Sequence, residues 1–340
     1  MMRPVLLPLA EQLGRLSLRQ RGAHSRFLDT RHGRIHYYDL RGSGPLPTTV
    51  VLHGLGAAAT AFGGLLSRLQ PHVRRALAPD HLGHGFSEGE DSQVTPNNLL
   101  QSTFEALDQT LPEPALLVGN SMGGAIAVKY ALSRPQRVRA LVLVSPAGAR
   151  WTDEEWEALQ RAFRLESRAH ATQLLRRLYH QPPWFLSLLA HEMPARLSCP
   201  TVRALLGAPQ ASATLTPEER GALQVPTLLL WGESERLLPF SHLDYFARYL
   251  PKHAVIERPR GFGHSPHVDA PQALAARITA FGFQCASAQR GSSQYASAQY
   301  KSALNLKPLA MPPRSLSPLR RWPLFRTLRA PASAPGDTLE

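Results

Sequence analysis

PALLVGNSMGGAIAVKYALSR, residues 114–134, joins an apolar run to a helix-forming run through a small-residue turn. Ala115 to Val118 sit between Pro114 and Gly119 and predict a short strand buried on both faces. The residues from Ala125 to Ser133 predict a helix. Between the two lies a GxSxG pattern, Gly119 to Gly123, in the strand–turn–helix context that gives this pattern meaning. A serine on so sharp a turn is flanked by backbone passing close to the next strand, so a side chain at 119 or 123 would collide; glycine removes the conflict. The turn also sets Ser121 at the positive end of the following helix, which favours negative charge developing on an attacked carbonyl oxygen. Ser121 is the candidate nucleophile, and the backbone amide of Met122 a candidate donor to that oxygen.

Outward from this turn, short apolar runs recur with turn residues at both ends: TTVVLHG (48–54), RRALAPD (74–80), RALVLVS (139–145), PTLLLWG (226–232) and HAVIERP (253–259). Helical stretches separate them, as in right-handed βαβ crossovers. RFLDT and RIHYYDL alternate in polarity around Arg31 to Gly33 and predict an antiparallel hairpin over 26–40. The fold class is therefore α/β: a doubly wound, mostly parallel eight-stranded sheet. Between Ser145 and Pro226 the alternation fails, and two capping boxes, Thr152 with Glu155 and Thr216 with Glu219, signal helix starts. These signals divide the chain into an N-terminal basic arm (1–25), a first part of the core (26–149), an inserted helical lid (150–222), a second part of the core (223–284) and a basic tail (285–340).

Hydrophobic residues at 43% and charged residues at 19% describe a globular interior, whereas the 30 prolines exceed the average of about 5% and cluster toward the C-terminus. From Cys285, CASAQRGSSQYASAQYKSA and a Pro/Arg-rich run lack the apolar content to offset chain entropy, so the tail is expected to be disordered. The formal net charge of +13 is concentrated at the two ends, in Arg3, Arg15, Arg19, Arg21 and Arg26 and again in the run RRWPLFRTLR. No zinc-finger spacing or RNA-binding signature accompanies it, which disfavours a nucleic-acid partner. Peripheral membrane contact through the basic ends is the remaining expectation, with an amphipathic helix over Leu6 to Leu18 that either touches a membrane surface or packs on the body of the protein. Cys199 and Cys285 form neither a disulfide framework nor a metal or redox pair. The apolar patch at the start is broken by Pro8 and is too short for a membrane span or a secretory core, so a soluble, cytoplasmic protein is expected.

Further motifs follow the same order along the chain: HGLG at His53, DHLGHGFS at Asp80, WGESERLLP at Trp231 and GFGHSPHVDAP at Gly261. With GNSMGG, five ordered motifs over about residues 26–283 resemble the α/β-hydrolases. The resemblance implies that His264 takes the proton of Ser121 and returns it to the leaving group. It also implies an acid after the strand PTLLLWG, where the family usually places aspartate four residues beyond the tryptophan; here that position is Glu235, with Glu233 as the local competitor. The loop after TTVVL puts the amide near Leu55 opposite that of Met122, forming an oxyanion hole in which each donor is worth about 3 kcal/mol. His53 and Asp80 read as structural groups. His264 and Asp269 together form an HxxxxD string like that of some acyltransferases, but Asp269 with Gln272 reads as a helix cap.

Serine at the turn argues against haloalkane dehalogenases and epoxide hydrolases, which resemble this fold but need a carboxylate there. GNSMGG, SPAG and GHS resemble monoacylglycerol lipase-like hydrolases. GNSMGG alone also resembles the carbon–carbon bond hydrolases of ring-fission pathways, which usually carry an HGxGPG loop and a tryptophan after the base where this chain has HGLGAA and Ser265. The expected activity is thus hydrolysis of a small-molecule carboxylic ester without cofactor or metal; the apolar lid residues Trp151, Trp156, Phe163, Leu174, Leu175, Leu178, Trp184, Phe185, Leu188 and Leu189 suggest a medium or long acyl chain. From a different class, a catalytically silent protein binding a ligand under the lid is the alternative.

Overall fold

The computed structural model describes residues 5–289 other than Ser198. Eight strands, β1 (Ala23–Thr30), β2 (Gly33–Arg41), β3 (Thr49–Leu52), β4 (Arg75–Pro79), β5 (Ala115–Asn120), β6 (Val138–Val144), β7 (Thr227–Leu230) and β8 (Val255–Glu257), make one sheet in the order β1-β2-β4-β3-β5-β6-β7-β8. The predicted hairpin is β1–β2, closed by Arg31 and His32 between the paired Thr30 and Gly33. β2 runs antiparallel to β4, and from β4 to β8 every pairing is parallel.

Alternation along the central strands divides the core in two. Val50, Leu52, Leu117, Leu141 and Leu143 face one side. There they meet α3 (Pro96–Thr110), α4 (Met122–Ser133) and α12 (Phe240–Tyr249). Val51, Leu116, Val118, Val142 and Val144 face the other side, against α2 (Gly63–Leu69) and α14 (Pro271–Gln289). The short α13 (Pro266–Asp269) precedes α14. Chain order reverses around β3, which lies between β4 and β5, so the carboxyl ends of β3 and β5 flank a topological switch point, the usual ligand crevice of an open α/β sheet.

Between β6 and β7 come α5 (Asp153–Phe163), α6 (Arg168–Leu178), α7 (Trp184–Leu189), α8 (Met193–Leu197), α9 (Pro200–Gly207), α10 (Gln210–Ala213) and α11 (Pro217–Gly221). Both capping boxes are formed, at the starts of α5 and α11. This helical segment has an apolar core of its own, around Phe163, Leu174, Leu175, Leu197 and Val202.

At the N-terminus the expected helix over Leu6 to Leu18 is present, and at the other end the expected tail needs correction. The helix α1 (Leu6–Gln20) runs through Pro8, because a proline in the first turn gives up an N–H that has no intrahelical partner. At the other end, the polar-looking residues from Cys285 to Gln289 continue α14, and Cys285 is buried with Ile278 and Phe281 in the sheet's second core. The rest of the predicted tail, including RRWPLFRTLR, lies outside the described residues.

Several histidines are locked in the interior. His81 is buried beside His84, and His267 lies against the Phe62 ring at 4.4 Å. His242 meets the Trp151 ring edge-on at 4.2 Å. Burial, reinforced by neighbouring rings, pushes His81 and His267 down to about 3. Burial also brings His242 down to about 4 despite the opposing pull of Glu155. These rings stay neutral in the folded chain, while the unfolded chain takes up protons below the ordinary value of 6.5, so protons favour unfolding. The urea midpoint should accordingly hold steady above pH 6.5 and fall progressively toward pH 4. Equilibrium unfolding at a series of pH values checks this, and a midpoint that rises on acidification would contradict it.

Candidate active site

Ser121 occupies the turn between β5 and α4 with φ of 54° and ψ of −121°, a left-handed conformation that costs a serine about 1–3 kcal/mol. It is held there by its own carbonyl, which accepts from the amides of Gly124, Ala125 and Ala147, and by its amide, which donates to Val144. The glycines on either side are sterically required: a Cβ on Gly119 would strike the Gly123 carbonyl, and one on Gly123 would strike the Leu52 carbonyl of β3. Met122 is the first residue of α4, so its amide has no acceptor one turn back. Leu55, on the loop after β3, lines the same cavity as Ser121 and Met122. Gly54, next to Leu55, packs directly on the Ser121 side chain; a Cβ there would lie 3.1 Å from the serine Cβ.

His264 and Glu235 meet on the far side. Glu235 Oε2 lies 2.8 Å from His264 Nδ1, and Oε1 accepts from the amides of Leu237 and Leu238. Both residues are almost completely buried. Burial works to raise the Glu235 carboxyl, but the His264 ring and the Leu238 amide outweigh it and hold the group below the usual carboxylate range. Glu233 goes elsewhere, toward Arg260 at the surface. No hydrogen bond joins Ser121 Oγ to His264 among the described residues; their loops are tied one residue away, where Asn120 Nδ2 donates to the carbonyls of His264 (2.8 Å) and Val144 (3.0 Å).

Three supporting groups complete the frame. His53 accepts from the His81 amide at Nε2 and donates from Nδ1 to the Gly54 carbonyl, bracing the loop that carries Leu55. Burial, then the neighbouring His81 and His84, lowers it well below the ordinary imidazole value. This trio of rings is no metal centre: among the described residues no cluster of His, Cys, Asp or Glu could hold an ion. Asp80 accepts from the amides of Ala59 and Phe86 and pairs with His36 at 2.7 Å, organising the turn as expected.

Asp269 corrects the sequence reading. It is the last residue of α13 rather than the cap of α14, and its carboxylate accepts from the amide of His180, at 2.6 Å, on the loop after α6. The Leu178 carbonyl at the end of α6 accepts from the Ser265 amide, and His180 Nδ1 bonds the Ser234 hydroxyl. The helical insertion thus holds the loops that carry both His264 and Glu235. Sequence reasoning passes over both Asn120 and His180. Asn120 stands in the variable position of GxSxG, where its side-chain amide is the available signal; His180 carries no local signal at all.

Ser121 opens on a cavity of about 310 Å³. Along α4 its wall is Met122, Ala125 and Ile126; the insertion contributes Trp151, Trp156, Leu159, Phe163, Leu205 and Leu206; the loop after Glu235 adds Leu237 and Leu238. Polar side chains in the lining are Asn97, Lys129 and Ser212, with Lys129 eight positions along α4 from the serine. The apolar supply of the insertion therefore splits. Trp151, Trp156 and Phe163 line the cavity, Leu174 and Leu175 fill the insertion's own core, and Trp184, Phe185 and Leu188 are exposed.

Comparison with known proteins accords with this arrangement. The family model described as the alpha/beta hydrolase fold matches residues 47–271. The chain is 30% identical over 271 residues to the mouse sn-1-specific diacylglycerol lipase ABHD11, covering 74% of this chain and 86% of the relative. It is 27% identical over 262 residues to the pimeloyl-[acyl-carrier protein] methyl ester esterase of Yersinia enterocolitica, covering 73% and 97%. Among solved structures, a membrane phospholipase A superposes with a TM-score of 0.70 at 24% identity over 83% of this chain and 91% of that one, a likeness of fold. A family match spanning both the serine turn and the His264 loop, joined to relatives that are lipases and esterases, identifies the chain as an enzyme of the α/β-hydrolase family.

Proposed function

We propose that the chain hydrolyses carboxylic esters of hydrophobic acyl chains through an acyl-enzyme on Ser121. The observation that carries this reading is an apolar cavity of about 310 Å³ with Ser121 in its wall. Lys129 stands eight positions beyond Ser121, about 12 Å along α4, a length suited to a medium acyl chain laid against Met122, Ala125 and Ile126.

In this reading Ser121 Oγ attacks the ester carbonyl while His264 Nε2 takes its proton. The negative oxygen of the tetrahedral intermediate is received by the amides of Leu55 and Met122, aided by the N-terminus of α4. Collapse expels the alcohol with the proton returned by His264, and water repeats the sequence on the acyl-enzyme. Glu235, charged and bonded to Nδ1, fixes the ring's orientation and stabilises the imidazolium; its pairing with His264, against the surface position of Glu233, supports it as the acid. The additional methylene of glutamate is accommodated because Oε1 is anchored by two backbone amides of its own loop.

Ser121→Ala should lower kcat by roughly a millionfold and abolish labelling by a fluorophosphonate, and Glu235→Gln should cost on the order of ten-thousandfold. Glu233→Gln should change kcat little; equal loss there with none at 235 would move the acid. Across p-nitrophenyl esters, kcat/KM should climb with acyl length by up to about fourfold per methylene, the equivalent of about 0.8 kcal/mol of burial, until the cavity is filled. A preference for acetate would refute the acyl-chain assignment.

A further inference from the structure

Among the described residues, the exposed large apolar side chains other than Phe240 are gathered on two helices. On α1 and its N-cap, Val5, Leu6, Leu9, Leu13 and Leu16 recur at helical spacing along one side, each at least 40% exposed, while Leu18 alone is fully buried toward α2 and β1. This helix presents its apolar stripe outward, the reverse of a helix that packs on a core. On α7, Trp184 (77% exposed), Phe185 and Leu188 do the same. The start of α1 is tied to the chain just past the end of α7: Glu192, three residues after α7, accepts the amides of Val5, Leu6 and Leu7 at 2.7–2.9 Å.

The same stretches of chain are rich in arginine. From α6 to α9 the chain carries Arg168, Arg176, Arg177, Arg196 and Arg203 against one carboxylate, Glu192. α1 and the residues just after it add Arg19 and Arg21 against Glu11, while Arg15 turns inward to Ser25 and the Phe86 ring. Exposed apolar side chains on arginine-rich helices, with a tryptophan as the most exposed of them, match the boundary between acyl chains and anionic headgroups. Among the described residues no helix is long and apolar enough to cross a membrane, so contact through this face would be with one surface. We propose that the α1 stripe and the α7 tip together dock the enzyme on an anionic phospholipid surface. This stands apart from the reading of Ser121, because neither strip contributes to the cavity.

The test uses the full chain and vesicles of phosphatidylcholine, with and without phosphatidylglycerol, in a sedimentation assay. Binding is expected to the mixed vesicles, with a blue shift of tryptophan emission that Trp184→Phe removes. Leu9→Ser with Leu13→Ser, and separately Trp184→Ala with Phe185→Ala, should each weaken partitioning at least tenfold, while hydrolysis of a soluble short-chain ester is unchanged. All these variants keep every arginine of both ends, so their loss of binding isolates the apolar strips from general basic attraction. Wild-type chain left in the supernatant, or variants that bind undiminished, would overturn the proposal. So would a wild-type dimer, seen by light scattering, that the Leu9/Leu13 variant converts to a monomer without altering vesicle binding, since the stripe would then be an interface between copies.

Discussion

Everything in this molecule's site descends from how little room there is between β3, β5 and the helix that follows β5. The chain has to reverse direction against the carbonyl of Leu52, and it does so because Gly119 and Gly123 have no Cβ to place there. The residue at the apex bears the strain, with Ser121 in a left-handed conformation fixed by four backbone hydrogen bonds. That same geometry turns neighbouring side chains in opposite directions. Ser121 faces the cavity, and Asn120 faces inward, where its amide holds the carbonyl of His264. One strained turn thereby presents a hydroxyl to the cavity and anchors the distant loop that bears the imidazole.

The sheet was legible because its central strands are buried on both faces, so each is a compact apolar run with turn residues at its ends. Val50 to Leu52 and Leu141 to Val144 send alternate side chains into two different cores, and both cores demand apolar residues. The lid starts were legible for a different reason: a capping box is a local device whose partners are three residues apart. Ser121, His264 and the Glu235 position could be named because each follows a strand end within a short motif.

Long-range polar contacts were the illegible part. Asp269 before Ala270, Pro271 and Gln272 has every local mark of a cap, yet its carboxylate is committed to an amide 89 residues away. Sequence spacing is blind to such a bond, because either arrangement satisfies the same group. The stretch from Cys285 to Gln289 misleads for the converse reason. Ala and Gln are good helix formers, and a single buried Cys285 is enough to carry α14 onward despite the polar composition.

Glu192 also has a mechanical role. Its carboxylate receives three consecutive amides from the first turn of α1, groups that the helix itself leaves without partners. Arg196, a turn further on, pairs with Glu11 of the same helix. The N-terminal helix is therefore fastened at two points to the insertion that roofs the cavity, and through Leu18 to the sheet's second core. It works as a tether on the insertion: any hinge movement of the α7–α8 segment must either strip those amides of their acceptor or pull α1 along with it.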